Sequence, residues 1–171
     1  VNAADESGVA NSYIHAFMDG RDVDPKSGKG FLEDLHQFCS DKNADLATVI
    51  GRYYAMDRDK RWERVKLAYD VMVNNEGEKV QDISAAMQKS YDEGVTDEFI
   101  KPLVLTDSNS KPVAKISEGD VIVFFNFRTD RGRELTQVLS QQDFHEHNMH
   151  KLDLHYVTLT NYDDSFQGIH V

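Results

Sequence analysis

The chain has 171 residues, 40% of them hydrophobic, and a formal net charge of −11 at neutral pH. That length can bury a real core as one ordinary domain, and that charge argues against a general role on nucleic acid or at an anionic membrane surface. No run of about 18 apolar residues predicts a transmembrane helix, no secretory segment opens the sequence, and the lone Cys39 excludes an internal disulfide or thiolate metal cluster and fits a reducing, cytoplasmic setting.

Apolar runs alternate with helical periodicities along the chain. Ser12–Met18, with Tyr13, Ile14, Ala16 and Phe17, predicts a strand. Phe31, Leu32, Leu35 and Phe38 recur at helical spacing and predict a helix over residues 30–42. Residues 46–54, rich in Thr, Val and Ile, predict a second strand. A helix is predicted over residues 60–74, with Trp62, Val65, Leu67, Ala68, Val71 and Met72 at its apolar positions and Asn74-Asn75-Glu76-Gly77 ending it. Residues 82–93 predict another, with Asp82 as N-cap, Ile83, Ala86, Met87 and Tyr91 on the buried side, and Gly94 as the stop. A short strand near 102–105 and a polar turn over 106–111 follow.

Residues 121–127 form the most hydrophobic stretch, and such an unbroken run predicts a strand covered on both faces. A helix begins within 133–139, and residues 153–160 alternate as a final strand. Segments 76–79 and 106–118 are expected to be mobile surface loops. There is no internal repeat and no low-complexity tract. The pattern predicts an α/β fold with a largely parallel sheet flanked by helices. The sequence starts with Val1 rather than Met and stops just after an apolar run, as expected of a single domain taken from a longer protein, or of a processed or tagged small one.

Three segments that end apolar runs deliver arginines together with aspartates: Asp19-Gly20-Arg21-Asp22, Arg52 to Arg58 with Asp57 and Asp59, and Arg128-Thr129-Asp130-Arg131. The planar fork of arginine donates two parallel hydrogen bonds to a carboxylate or phosphate. Arg21, Arg52 and Arg128 each lie just past the carboxyl end of a predicted strand, where ligand sites of open α/β sheets form. If the strands are parallel, the three segments converge on one side of the sheet around a small anion. Asp22 is placed to accept a proton from a ligand hydroxyl.

Other features read as structural. Residues 52–66 hold six basic and three acidic side chains, a net +3, but Lys60, Arg61, Arg64 and Lys66 fit a solvated helix face laced with ion pairs. His145, His147, His150 and His155, with Glu146, match no strong zinc spacing, so no metal ligand is assigned. Ser27, Ser90 and Cys39 lack the neighbours of an activated nucleophile, and Gly28-Lys29-Gly30 is not a P-loop.

The arginine segments also carry a family resemblance. His15-Ala16-Phe17-Met18-Asp19-Gly20-Arg21-Asp22, Gly51-Arg52-Tyr53-Tyr54-Ala55-Met56-Asp57-Arg58-Asp59 with Arg61-Trp62, and Phe125-Asn126-Phe127-Arg128-Thr129-Asp130-Arg131 resemble 2,3-bisphosphoglycerate-independent phosphoglycerate mutase. Val95-Thr96-Asp97-Glu98-Phe99-Ile100-Lys101-Pro102 fits the same family between the second and third of these. The resemblance runs over residues 13–166.

The resemblance implies a two-domain glycolytic isomerase that interconverts 3-phosphoglycerate and 2-phosphoglycerate. One domain is phosphatase-like, with two divalent metal ions, manganese or magnesium, and a transiently phosphorylated serine. The other is an inserted phosphotransferase domain that binds substrate, and this chain is similar to that domain alone. By residue, Arg21 and Asp22 match a substrate-contacting pair, Arg52 and Arg58 match arginines that hold anionic groups, and Arg128 and Arg131 match the pair nearest the transferring phosphate. The family's His-Ser-His motif, a downstream lysine, the serine nucleophile and the metal ligands are not in this sequence. The chain alone is therefore expected to be inactive, with the metal-binding domain of the same parent as its partner and neither nucleic acid nor membrane among its partners. Two rival readings are a non-catalytic anion-binding or interaction domain that kept the fold, and a different phospho-sugar enzyme using the same cradle.

Overall fold

The computed structural model describes residues 1–171 in full. Within the one domain expected from the sequence it distinguishes two units, the first made of Val1–Arg52 and Asn75–Lys115, the second of Tyr53–Asn74 and Ile116–Val171. Strands and helices are interspersed along the chain, as expected of an α/β fold.

In the first unit, a short helix α1 (Asn2–Glu6) precedes β1 (Ser12–Met18). Helix α2 (Gly28–Cys39) then leads to β2 (Ala44–Gly51), which runs parallel to β1 with Met18 beside Gly51. The sheet order is β1-β2-β4-β3, with β3 (Glu78–Val80) parallel to β4 (Leu103–Leu105) and β4 antiparallel to β2. Central β2 is buried along nearly its whole length, as its Leu, Ala, Val and Ile content demands. Leu32 of α2 and Ile83, Met87 and Tyr91 of α5 (Ile83–Asp92) close the core over Leu46, Val49, Ile100 and Leu103.

Local rules explain most boundaries. Asp82 caps α5, its side chain accepting the N–H of Ala85, and Gly94 follows at φ +81°. Helix α2 starts two residues before the predicted position because tertiary acceptors satisfy its first donors: Asp97 takes the N–H of Gly28 and the Tyr91 hydroxyl takes that of Lys29. Strand β2 stops at Gly51 rather than 54, and Arg52–Ala55 turns into a short helix, α3. The expected loop at 76–79 instead enters β3. Gly77 lets the backbone approach Pro102, whose carbonyl accepts the N–H of Glu78 at 3.0 Å. Three residues with two charges leave no periodic signal.

The second unit holds α4 (Trp62–Val73), β5 (Val121–Phe124), α6 (Thr129–Thr136) with a π turn at Gln137–Gln141, β6 (His155–Thr158) and β7 (Ile169–His170). Its strands form a separate all-parallel sheet in the order β5-β6-β7. The single sheet implied by the sequence is therefore two, and Arg128 follows a strand of a different sheet from Arg21 and Arg52. Helix α4 buries Val65, Ala68, Val71 and Met72 as predicted, but Leu67 of the predicted set is exposed and Tyr69 is buried instead.

The expectation for residues 121–127 is corrected. β5 is an edge strand, and Val121, Val123, Phe125 and Phe127 are 59–69% exposed while Phe124 is buried against the rings of Tyr156 and Tyr162. An apolar run reports only that both faces are hydrophobic, not that both are covered. No helix is long and apolar enough to cross a membrane.

Candidate functional site

The parallel register of β1 and β2 ends both strands level, so Asp19-Gly20-Arg21-Asp22 and Arg52 emerge side by side. Arg52 is only 6% exposed. Its Nη1 donates to Asp19 Oδ1 and, at 3.1 Å, to Asp22 Oδ2. Asp19 Oδ1 also accepts the N–H groups of Arg21 and Asp22, which closes the loop as an Asx turn. Burial works against the Asp19 carboxylate, but the hydrogen bond from Arg52 and the two N–H groups outweigh it and hold its pKa below the usual value. The same pairing raises the Arg52 guanidinium against its own burial. Gly20 sits at φ +70°, and a Cβ there would meet Asp97 Cβ and the Glu98 nitrogen at 2.9 Å, so glycine is required. Arg21 is half-exposed, with Nη1 3.6 Å from Glu98 Oε1.

Behind this loop, residues 97–100 act as a brace. Asp97 is 1% exposed; it accepts the Gly28 N–H at 2.7 Å and the Tyr91 hydroxyl at 2.5 Å, and its own N–H reaches the Pro25 carbonyl. Burial, with the neighbouring Asp97 carboxylate, raises the Tyr91 hydroxyl well above the phenol range. The Val95 to Pro102 stretch thus supports the loop that carries Arg21 and Asp22, a role its motif did not specify.

The second unit contributes a separate group. Arg58 Nη1 donates to Asp130 Oδ2 at 2.9 Å, and Arg131 Nη1 donates to the Met56 carbonyl at 2.8 Å. The hydrogen bond from Arg58 holds the Asp130 carboxyl below its usual pKa. Arg128 is the N-cap residue of α6. Its loop, residues 125–128, is tied down from the far side: the Tyr162 hydroxyl donates to the Asn126 carbonyl and, at 3.2 Å, to that of Phe124, and Thr160 Oγ1 donates to the Phe127 carbonyl. Gly132 lets Tyr162 lie against α6, since a Cβ would stand 2.6 Å from its ring.

The loop between α3 and α4 is organised by buried carboxyls. Asp57 accepts the N–H groups of Asp59 and Arg61, and Glu134 accepts that of Lys60, which sits at φ +56°. Arg64 is not the solvated side chain expected from the sequence. It stacks 3.8 Å over the Tyr53 ring and lies 3.6 Å from Asp57. Lys66 fits that expectation only in part: it pairs with Asp70 four residues on, but Asp70 is itself buried.

The structure therefore groups Arg21, Asp22 and Arg52 at one pair of strand ends, and Arg58, Arg128 and Arg131 around the start of α6. Sequence reasoning missed the organising residues Asp19, Asp97, Asp57, Glu134 and Tyr162. Asp19, Asp57 and Asp97 lay inside the quoted motifs, while Glu134 and Tyr162 carried no local signal. Neither group fits a pair of divalent ions: Asp19, Asp22 and Asp130 are bonded to guanidinium groups and Asp57 to N–H groups, so no open set of oxygen donors remains.

Comparison with known proteins identifies the family of the chain. The family described as BPG-independent PGAM N-terminus matches residues 1–164. A 2,3-bisphosphoglycerate-independent phosphoglycerate mutase of Flavobacterium psychrophilum is 58% identical over 171 residues, which is 100% of this chain and 34% of that protein. The same-named protein of Bacteroides thetaiotaomicron is 58% identical over 167 residues, 97% of this chain and 32% of its own length. The crystal structure of Leishmania mexicana phosphoglycerate mutase at low cobalt concentration superimposes with a TM-score of 0.87 at 27% identity, covering 95% of this chain and 32% of that one. The chain spans about a third of the length of these relatives, and it belongs to the 2,3-bisphosphoglycerate-independent phosphoglycerate mutase family, matching its N-terminal part.

Proposed function

We propose that this chain is the substrate-binding phosphotransferase part of a cytoplasmic, cofactor-independent phosphoglycerate mutase that interconverts 3-phosphoglycerate and 2-phosphoglycerate. The observation that carries the reading is the pair of level strand ends, where buried Arg52 holds Asp19 and Asp22 beside Arg21. Phosphoryl transfer needs positioning and charge neutralisation above all. Arg21, Arg52, Arg58, Arg128 and Arg131 supply that charge to the substrate's carboxylate and phosphate. Arg52 also fixes the orientation of Asp22, which accepts the proton of the attacking glycerate hydroxyl. The nucleophilic serine, with two divalent ions of the manganese or magnesium class, belongs to the metal-binding domain of the same parent chain; those ions, when bound, activate the nucleophile and stabilise phosphoryl charge.

Two measurements test this. In the full-length parent, Asp22→Asn keeps the shape and removes the base, so kcat should fall about 10²–10⁴-fold with a smaller change in KM. A near-normal kcat overturns the proton-transfer role. With the 171-residue chain alone, calorimetry should detect weak, salt-sensitive phosphoglycerate binding that Arg58→Ala reduces and Lys66→Ala does not, and a coupled assay should detect no turnover. Equal losses in the two variants, or sustained turnover, count against the reading.

A further inference from the structure

Away from the arginine groups, the hairpin after the π turn gathers three metal-type donors that the sequence spacing did not connect. Asp143 and His150 are seven residues apart, but Asn148 adopts a left-handed conformation at φ +51° and reverses the chain, and Phe144 and Met149 exchange backbone hydrogen bonds across the turn. His145 Nε2 and His150 Nδ1 then face the two carboxylate oxygens of Asp143, each at 3.8 Å. One ligand atom from each of the three residues lies within 4.8 Å of the others. We infer that Asp143, His145 and His150 form a surface binding site for one divalent transition ion of the zinc class.

The donor chemistry selects the ion. Two imidazoles and one carboxylate suit zinc, cobalt, nickel or copper, whereas magnesium and calcium prefer all-oxygen sites. Bonds of about 2.0–2.1 Å around a tetrahedral ion place ligand atoms about 3.3 Å apart. The observed spacing reaches that by small side-chain rotations, which exposed histidines make freely.

The backbone behind the ligands is already fixed. The Tyr69 hydroxyl donates to the His150 carbonyl at 2.7 Å and accepts its N–H at 3.2 Å. Asp143 Oδ1 accepts the Lys151 N–H at 3.0 Å, which orients the carboxylate. Met149 is fully buried, and Phe144 packs against Trp62 with ring centres 4.4 Å apart and planes tilted by 45°. The bound ion therefore orders three side chains rather than a loop, and the solvent side leaves room for water as the fourth ligand.

The inference does not depend on the proposed catalytic role, and its test does not use activity. The 171-residue chain, stripped with chelator, is titrated with Zn²⁺ by calorimetry and with Co²⁺ by visible absorption. A one-to-one isotherm and the d–d bands of low-coordinate cobalt with imidazole ligands are expected. His150→Ala and Asp143→Asn should each weaken binding by at least about tenfold. His36→Ala, at an exposed histidine on α2, should leave it unchanged. No saturation by about 1 mM Zn²⁺, or equal affinity in His150→Ala and the unsubstituted chain, overturns the site. All these side chains are exposed, and circular dichroism of each variant confirms that a loss of binding is not a loss of fold.

Discussion

Glu134 shows how a single buried group couples the arginine loop to pH. It is 5% exposed, its Oε1 accepts the Lys60 N–H, and its Oε2 is buried with no donor. Burial first, then the neighbouring Asp57 carboxylate, pushes its pKa up to about 7 from 4.5. A proton on Oε2 lets it donate towards Asp57, which resolves both the orphaned oxygen and the repulsion. Because the folded state holds this proton more tightly, its contribution to stability is complete below about pH 4.5 and is lost as pH rises through about 7. Asp19 and Asp130, with lowered values, act in the opposite sense and lose their contribution only as the solution becomes acid. Glu134→Gln keeps the shape without the ionisation. Urea unfolding at a series of pH values should show the variant gaining on the unsubstituted chain by on the order of 1–2 kcal/mol between about pH 5 and about pH 8. Parallel stability curves would show that Glu134 does not change ionisation there.

At the scale of elements, close backbone approaches decide where the strands end and which loops they present. A Cβ on Gly51 would collide with the Glu98 carbonyl and come within 2.8 Å of the Ile100 nitrogen. Both obstacles are backbone and cannot swing aside, so Gly51→Ala should destabilise the chain by about 2–4 kcal/mol, read by chemical denaturation; a loss below about 0.5 kcal/mol would mean that residues 97–100 are free to move. The sequence disclosed the elements but not this bracing. Periodicity located β1, α4 and α5 to within about two residues, because each has a strong pattern and Asp82 and Gly94 punctuate α5. It missed β3, whose three residues are held by pairing with β4 rather than by propensity. It extended β2 past Gly51, because Tyr53 and Tyr54 favour strands equally well. The arginines and Asp22 were legible because their residue types announce anion chemistry. Tyr162 was not, since an isolated tyrosine more than thirty residues from the loop it pins has no local signature.

At the scale of the molecule, the sheet β5-β6-β7 poses a problem of cover. All-parallel sheets occur almost only with both faces buried. Here Phe124 and Tyr156 are buried on one face, while Val121, Val123, Phe125 and Phe127 stand more than half exposed, as does Leu159 just past β6. A row of large apolar side chains on an edge strand is a docking surface or an aggregation hazard. The relatives are about three times as long as this chain, which accounts for 34% of the Flavobacterium protein. We expect the remainder of the parent chain to supply the cover. Val123→Lys then separates the two settings. In the 171-residue chain the lysine faces water, so the melting temperature should change little and light scattering should report less self-association. In the full-length parent the same lysine would be buried without a partner and should cost about 2–4 kcal/mol of stability, read as a lower denaturation midpoint. Equal effects in the two proteins would mean that the face stays open in the parent. Its apolar row would then have to be met by another molecule rather than by the rest of its own chain.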